Sequence, residues 1–387
     1  MSAADGTLNA VTGLQRRERV RAFDLAAGLA VFFMILVHVL WHWGRPETWT
    51  TPIGEAISYM AGPTAAPVFA FLMGASLGAA PRQRFGTLAA RGLWLLVLGY
   101  VLNVLRGVIP AFLGLSSGVI TAEEVQPYTL WWLGTTVDLH HMVGLSLIAA
   151  AALRTRIEPN WVWVGLAGAL VLFAPPIRTF VAGTPLLDAP LTPILGSAPN
   201  VYYAVVPWLA FPLGGAVFGR AMATTRDRPA LWRRATVVGS AILVVGLGLI
   251  LWQRPGFDVY TYWRMPLSFA VAIFGLILVW LAMCEVVTRV PFVDRRLGLV
   301  YGWSDRVIAI YFAHWLIVGW GVGIVGFRDL ALIPVLIAMA AAVVATHWLS
   351  KVAVKLESSW WVRRDPSAMR ERRSEVAVEI HPPAEPV

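Results

Sequence analysis

Long apolar runs, separated by short polar segments, follow one another along most of the chain. Several of these runs approach or exceed the roughly 20 residues that a helix needs to cross the hydrocarbon core of a bilayer. The pattern predicts ten spans, over 22–43, 63–81, 87–106, 139–153, 160–180, 201–219, 235–252, 266–286, 306–326 and 330–349. The expected fold class is therefore an all-helical, polytopic membrane bundle of about ten transmembrane helices.

Composition supports this prediction. Of the 387 residues, 58% are hydrophobic and only 14% are charged, which is far outside the range of soluble domains. The chain is expected to consist of a basic N-terminal segment (1–21), a membrane domain (22–349) and a largely disordered tail (350–387). The single cysteine, Cys284, excludes an internal disulfide and a cysteine-based metal site.

Basic residues alternate between successive loops, and the positive-inside rule uses this alternation to orient the chain. One set of loops carries most of them, and the opposite set carries scattered arginines. The rich set includes Arg16, Arg17, Arg19 and Arg21; Arg82 and Arg84; Arg154 and Arg156; Arg220, Arg226, Arg228, Arg233 and Arg234; Arg289, Arg295 and Arg296; and Lys351 and Lys355. We therefore expect a multi-pass protein of the cell membrane with both termini in the cytoplasm. The net charge of +9 then reflects topology and requires no nucleic-acid partner.

The first predicted span ends in two histidines, in the stretch "ILVHVLWHWG". His38 and His42 are one turn apart and share a helix face. His38 lies about 21 Å along the helix axis from Asp24, which is in the first turn, and His42 lies one turn beyond it. A polar ring in hydrocarbon is costly unless it is paired, so His38 is expected to face the bundle interior and to serve as a general base or proton relay. His42 is close enough to the helix end to lie at the interface.

Two further groups of polar residues lie in predicted spans. Asp138, His140 and His141 begin the fourth span, where Asp138 and His141 can share a face as an acid–base pair. Asp138 as a simple helix N-cap is an equally good interpretation. His314, one turn after Tyr311, lies near mid-membrane in the ninth span and is expected to face the bundle interior by the same cost argument. The histidines and Asp138 match no established zinc motif, so no metal is expected.

Five ordered segments resemble a known family. They are "RVRAFDLAAGLAVFFMILVH", "APVFAFLMGASLG", "VDLHHMVGLSLI", "VVPWLAFPLGGAVFGR" and "AIYFAHWLIVGW". They are similar to segments of the transmembrane acyltransferase superfamily, which includes the heparan-alpha-glucosaminide N-acetyltransferases, their bacterial relatives and the acyltransferase-three enzymes. The chain departs from the family at Ala27, eleven residues before His38, where relatives carry an arginine associated with acyl-donor handling.

The resemblance implies transfer of a short acyl group from cytoplasmic acyl-CoA to a hydroxyl or amine of a saccharide or lipid-linked acceptor. His38 would be the base or the acyl carrier, Asp138 and His141 would assist, and His314 would line the channel. A donor's phosphates would meet Arg91 with Arg82 and Arg84, although the positive-inside rule explains these arginines equally well.

Several alternatives stay open. One is a transporter or flippase on the same scaffold, and another is a membrane enzyme that tailors a lipid or secondary metabolite. A homodimer is also left open. Arg106, at the end of the third span, is expected to snorkel to the interface. The loop 107–134, with 181–200 and 253–265, is expected to form an outer rim that contacts the acceptor.

Overall fold

The computed structural model describes residues 20–81, 84–256 and 259–364, and these residues form helices without β-strands apart from two isolated bridges. We number the ten longer helical stretches in chain order. They are α1 Arg21–Trp43, α2 Pro52–Ala79, α3 Phe85–Ser117, α4 Leu139–Arg156, α5 Asn160–Leu172, α6 Val205–Thr224, α7 Arg228–Gln253, α8 Leu267–Thr288, α9 Val307–Val325 and α10 Leu332–Arg364. The prediction of an all-helical, polytopic membrane protein is confirmed.

Eight of these helices are long and apolar enough to cross a membrane: α1, α2, α3, α6, α7, α8, α9 and α10 up to Leu356. The other two, α4 and α5, occupy the places of the fourth and fifth predicted spans. Helix α4 has 18 residues but carries histidines at its start and arginines at its end. Helix α5 has 13 residues and is followed by a short helix, Ala174–Arg178, whose first turn contains Pro175 and Pro176.

Small residues let several helix pairs approach closely. The second half of α2 packs against α6, where a Cβ atom on Gly74 would overlap the backbone of Pro212 and one on Gly78 would overlap Ala216. Both residue numbers rise together along this contact, so the two helices run in the same direction. This matches the alternation of ten spans, in which the second and sixth are parallel. Close helix approach over small residues is typical of membrane proteins.

Helices α3 and α4 form an antiparallel pair. Gly92 packs against Gly144 near one end, and Gly99 packs against the ring of His141 near the other. The side chain of Asn103 then donates to the carbonyl oxygen of Thr136, at 2.7 Å, in the segment that precedes α4. This arrangement brings the start of α4 beside the second half of α3.

Helix α1 lies at the centre, in contact with α2, α8, α9 and α10. Its contact with α9 is fixed by Trp43, whose indole N–H donates to the carbonyl oxygen of Val318 at 3.0 Å. The same ring lies directly against Gly321, where a side chain would overlap it. The histidine of α9 is thereby held level with the histidines of α1.

The structure corrects several predicted boundaries. Helix α2 begins at Pro52 rather than at residue 63, with a break at Ala65 between its two segments. Helix α3 does not end near residue 106 but continues through a π-helical turn, Val104–Val108, to Ser117. The first third of the predicted loop 107–134 is therefore helical.

Helix α10 runs past the predicted end of the last span at residue 349 and reaches Arg364. The predicted basic N-terminal segment, up to residue 19, and the predicted tail from residue 365 onward lie outside the described residues.

Candidate functional site

A small cavity of about 30 Å³ lies within the bundle, beside the last turns of α1. This volume suffices for one or two water molecules. Small and apolar side chains of α1 and α2 form part of its wall, including Met34 and Ala61. Its polar and aromatic lining residues are His38, Trp41, Asp138, Tyr203, Tyr262 and Tyr311. The structure thus brings His38 and Asp138, two of the predicted site residues, to one cavity.

His38 is held by His314 of α9. The Nδ1 atom of His38 lies 3.0 Å from Nε2 of His314, and the two rings stack at an interplanar angle of 15°. His314 is fully buried, and its own Nδ1 atom lies 3.1 Å from the carbonyl oxygen of Ile310. The predicted interior position of His314 is therefore where the structure places it.

The hydrogen bonds assign the tautomers. A carbonyl oxygen only accepts, so Nδ1 of His314 carries a proton and Nε2 of that neutral ring is an acceptor. Nδ1 of His38 must then be the donor in the contact between the two rings. Nε2 of His38 is left with a free lone pair, on a ring that lines the cavity. This is the state that a general base requires.

His42 is half-buried and turned toward the same group of rings. Its Nδ1–H donates to the carbonyl oxygen of His38, at 2.9 Å, and its ring meets the ring of Trp315 edge-on at 5.3 Å. Trp315 also packs against His38, with ring centroids 4.2 Å apart. His42 thus packs with the site, but it is not one of the cavity's lining residues.

Asp138 follows the second of the two interpretations that the sequence left open, the helix N-cap, and adds an ion pair that was not predicted. It is the N-cap of α4, and its Oδ1 accepts from the backbone N–H of Leu139 at 2.7 Å. Its Oδ2 forms an ion pair with Arg106 at 2.5 Å, and both side chains are less than a tenth exposed. Since Asp138 also lines the cavity, the cap is a buried, ion-paired carboxylate at the same cavity as His38.

The ring of His141 does not hydrogen-bond to the carboxylate of Asp138. Its Nδ1 instead accepts from the backbone N–H of Asp138, at 3.1 Å, which completes the capping box of α4. The ring lies against Gly99 and meets Tyr100 at 4.3 Å. His141 therefore faces α3 and is not one of the residues that line the cavity. The neighbouring His140 packs on Tyr311, which does line the cavity, with centroids 4.4 Å apart.

Arg106 and Trp315 belong to the site, although neither was predicted for it. Arg106 does not snorkel to an interface; its guanidinium lies over the Trp315 ring, 3.9 Å from the centroid, and pairs with Asp138. The sequence did contain one signal, since Asn103 precedes Arg106 by one helical turn at the end of an apolar run. The two side chains are in contact, with Arg106 Nη2 donating to Asn103 Oδ1 at 3.2 Å.

Arg84 and Arg91, two of the three arginines predicted to bind a donor, lie toward the opposite end of α3 from Arg106. Arg84 and Arg91 are exposed, and Arg82 is outside the described residues. Arg91 precedes Asn103 by twelve residues of continuous helix, or about 18 Å along the axis. Among the described residues, no group of three or more His, Cys, Asp or Glu side chains is arranged to hold a metal ion.

The fold and the site define a polytopic membrane protein with a hydrogen-bonded pair of histidines, one of which lines the same cavity as an ion-paired carboxylate. Residues 19–253 match the family model described as heparan-alpha-glucosaminide N-acetyltransferase, catalytic. The match covers more than half of the chain, so the protein belongs to this family, in agreement with the resemblance noted above. Membership supports a membrane N-acetyltransferase type of activity. No curated protein matches the chain significantly.

The matched region runs from α1 to the end of α7. It includes His38, Arg106 and Asp138, and ends before α9. The partner of His38, His314, therefore lies in the part of the chain that follows the match.

Proposed function

We propose that the protein is a membrane acyltransferase that moves a short acyl group from acyl-CoA to an amine or hydroxyl of a saccharide or lipid-linked acceptor. The observation that carries the proposal is the hydrogen-bond chain from His38 to His314 to the Ile310 carbonyl. It leaves the lone pair of His38 Nε2 free on a ring that lines a small cavity within the bundle. Family membership supports the acyl-transfer chemistry.

His38 acts as the general base. Its Nε2 atom takes the proton from the acceptor as the acceptor's nitrogen or oxygen attacks the thioester carbon, and it later returns that proton to the leaving thiolate. His314 holds the ring in the required tautomer, since its Nε2 accepts from His38 Nδ1. A positioned base of this kind typically contributes 10²–10⁴-fold in rate.

Asp138 and His141 assist by different means. Asp138 presents a carboxylate to the cavity and to Arg106, so it can hold the attacking group opposite His38. His141 acts through the backbone of Asp138, because its Nδ1 accepts the N–H of that residue and fixes the start of α4. Asp138 is thus a contact residue of the proposed site and His141 is a positioning residue.

The donor has to reach the cavity from the cytoplasmic side that the arginine pattern predicts. His38 follows Arg21 by 17 residues of helix, or about 25 Å. A thioester at the end of a long, narrow arm can span this depth while Arg82, Arg84 and Arg91 hold phosphates at the surface. The cavity of about 30 Å³ has to widen to admit the acyl group.

The acceptor is proposed to approach from the opposite end, where aromatic side chains of the loops lie together. The rings of Tyr202 and Trp263 stack with centroids 4.1 Å apart, and the indole N–H of Trp132 donates to the Tyr202 hydroxyl at 3.2 Å. Flat aromatic surfaces with polar edges suit the apolar face and hydroxyl groups of a sugar ring. This group connects the predicted rim segments 107–134 and 253–265.

The test uses the full-length protein, purified in detergent, with radiolabelled acetyl-CoA and glucosamine as acceptor. We expect labelled N-acetylglucosamine from the wild type and none above background from His38→Ala. Label retained on His38 itself, with the same product, would identify that residue as an acyl carrier instead of a base. Binding of acetyl-CoA without transfer to any tested amine or hydroxyl would contradict the enzymatic proposal and favour the transporter alternative.

A further inference from the structure

Arg106 is a buried cation beside the proposed site, where it pairs with the cavity-lining Asp138. Its side chain is 9% exposed, and that of its partner Asp138 is 7% exposed. By contrast, the arginines that pair with Glu285 and Asp329 are more than half exposed. A charge buried to this degree is costly, even when it is paired, so its retention calls for a role beyond a surface salt bridge.

The donors of this guanidinium are only partly used. Nη2 donates to Asp138 Oδ2 at 2.5 Å and to Asn103 Oδ1 at 3.2 Å. Nη1 is buried and finds no acceptor among the described residues. A guanidinium has five N–H donors in a fixed plane, so the direction of the unpaired donors is set once Nη2 is fixed. A buried charged donor without a partner is unfavourable, and an acceptor group that arrives with a ligand would satisfy it.

The backbone around Arg106 is fixed firmly. The residue lies in the π-helical turn Val104–Val108, and such turns are frequent at functional sites. The indole N–H of Trp320 donates to the Leu105 carbonyl oxygen at 2.9 Å. Gly319 lies directly against the backbone of Arg106, where a Cβ atom would overlap the carbonyl oxygen. Helix α9 thus carries both the partner of His38 and the residues that hold this turn.

Two contacts place the guanidinium next to the proposed base. It lies over Trp315, 3.9 Å from the ring centroid, and Trp315 packs against His38. It also bonds to Asp138, which shares a cavity with His38. A single side chain therefore separates Arg106 from His38 on each of two sides: Trp315 on one and Asp138 on the other.

We propose that Nη1 of Arg106 donates to the carbonyl oxygen of the donor thioester and stabilises the oxyanion that forms there. This inference rests on the proposed function. When the acceptor attacks, a bond forms to the thioester carbon and the C=O π electrons move onto the oxygen, beside the guanidinium. His38 Nε2 takes the acceptor's proton. On collapse the C–S bond breaks, its electron pair leaves with the sulfur, and His38 returns the proton to the thiolate.

The ion pair with Asp138 makes this arrangement feasible. Asp138 compensates the charge of Arg106 in the absence of substrate, so the bundle can bury the guanidinium. Oδ1 of Asp138 is occupied by the Leu139 N–H, which directs Oδ2 toward Nη2. Nη1 is then the donor that remains for the substrate. A preorganised donor of this kind commonly contributes 10²–10³-fold to kcat.

The test compares two ligands, of which one has the thioester carbonyl oxygen as a hydrogen-bond acceptor and the other lacks it. These are acetyl-CoA and its thioether analogue S-ethyl-CoA, titrated against the full-length protein in lipid nanodiscs. His38→Ala is the background, so that acetyl-CoA is not turned over. We expect acetyl-CoA to bind about tenfold more tightly, as is typical for a hydrogen bond from a charged donor.

The variants are chosen to keep the fold. Both variants are made in the His38→Ala background. Arg106→Lys keeps a positive charge beside Asp138 but lacks the second, directed donor. The double variant Arg106→Met/Asp138→Asn removes both charges together. Both are expected to bind the two ligands equally, with the affinity for S-ethyl-CoA unchanged. Arg220→Met is the matched control, because Arg220 also lies over a tryptophan, Trp163, and has a buried Nη2 without a partner among the described residues.

The outcomes separate the two proposals. Loss of the preference in both Arg106 variants, and its retention in Arg220→Met, supports the inference. A preference that survives in the Arg106 variants, or an equal loss of affinity for both ligands, would overturn it while leaving the acyltransferase proposal intact. Failure of the starting protein to bind either ligand would overturn both.

Discussion

Nδ1 of His38 and Nε2 of His314 lie 3.0 Å apart and join the first and ninth helices. The helices run in the same direction, because the next contact along both, from Trp43 to Val318, lies four to five residues further on. The pair is 276 residues apart in the chain, so the proposed base and the residue proposed to orient it come from opposite ends of the membrane domain. Activity should accordingly depend on how α1 and α9 are held together.

Replacing His38 by Ala should abolish acetyl transfer, because the free lone pair of Nε2 is lost from the cavity. A decrease of 10²-fold or more in kcat is expected. Replacing His42 by Ala should cost less than tenfold, since His42 packs on Trp315 and bonds to a backbone carbonyl without lining the cavity. Rates of acetyl transfer measured on both purified variants provide the comparison. Equal, small losses would show that His38 is not the base.

His314 should act by orienting His38. The variant His314→Phe keeps the ring but removes the acceptor for His38 Nδ1, so the proton of His38 is free to move to Nε2. We expect a 10- to 100-fold lower kcat with little change in the KM for acetyl-CoA. His314→Gln keeps an acceptor oxygen at the end of a side chain of similar reach and should recover part of the activity. Equal activities of His314→Phe and His314→Gln would indicate that His314 contributes packing and does not orient His38.

Much of the architecture was predictable because membrane spans obey strong local rules. An apolar run of sufficient length has to become a helix, since hydrocarbon offers no other partner for backbone N–H and C=O groups. The cost of a polar ring in hydrocarbon likewise predicted that His38 and His314 face inward. The contact between the two is what the structure adds.

The remaining features depend on contacts between helices that are distant in the chain. Periodicity shows which face of a helix is polar but not which helix it meets, so the ion pair of Arg106 with Asp138 was not foreseen. An arginine at the end of an apolar run also has the alternative of snorkelling. The continuation of α3 past residue 106 was missed because Gly107, Pro110 and Gly114 are typical of loops. Pro110 is tolerated because it lies at the second position of the α-helical segment that follows the π-helical turn.

The predicted orientation can be tested by cysteine labelling. The single native cysteine, Cys284, is buried, which favours a low background for a membrane-impermeant maleimide applied to intact cells. Ser117→Cys, at the end of α3, should be labelled from outside. Thr225→Cys, just after α6, should be labelled only after the cells are opened. This pattern follows from the basic loops and the positive-inside rule. Labelling of both positions from the same side would contradict the ten-span topology.

The close contact between α9 and the π-helical turn of α3 gives a last prediction. A Cβ atom on Gly319 would overlap the carbonyl oxygen of Arg106, so Gly319→Ala has to push the two backbones apart. Overpacking of this kind typically costs about 1–3 kcal/mol of stability. The displacement should also move Trp315 relative to the Arg106 guanidinium and lower acetyl transfer by about tenfold or more.

Gly323, one turn further along α9, is the matched control. A Cβ atom there meets nothing within 4 Å, so Gly323→Ala introduces no overlap. Alanine is also the better helix former, by about 1 kcal/mol in an exposed helix, so this variant should be as stable as the wild type or more so. The measurement is the apparent melting temperature in detergent, together with the acetyl-transfer rate. If Gly319→Ala melted and turned over like Gly323→Ala, the tight packing of α9 on the turn that carries Arg106 would not be required for the site.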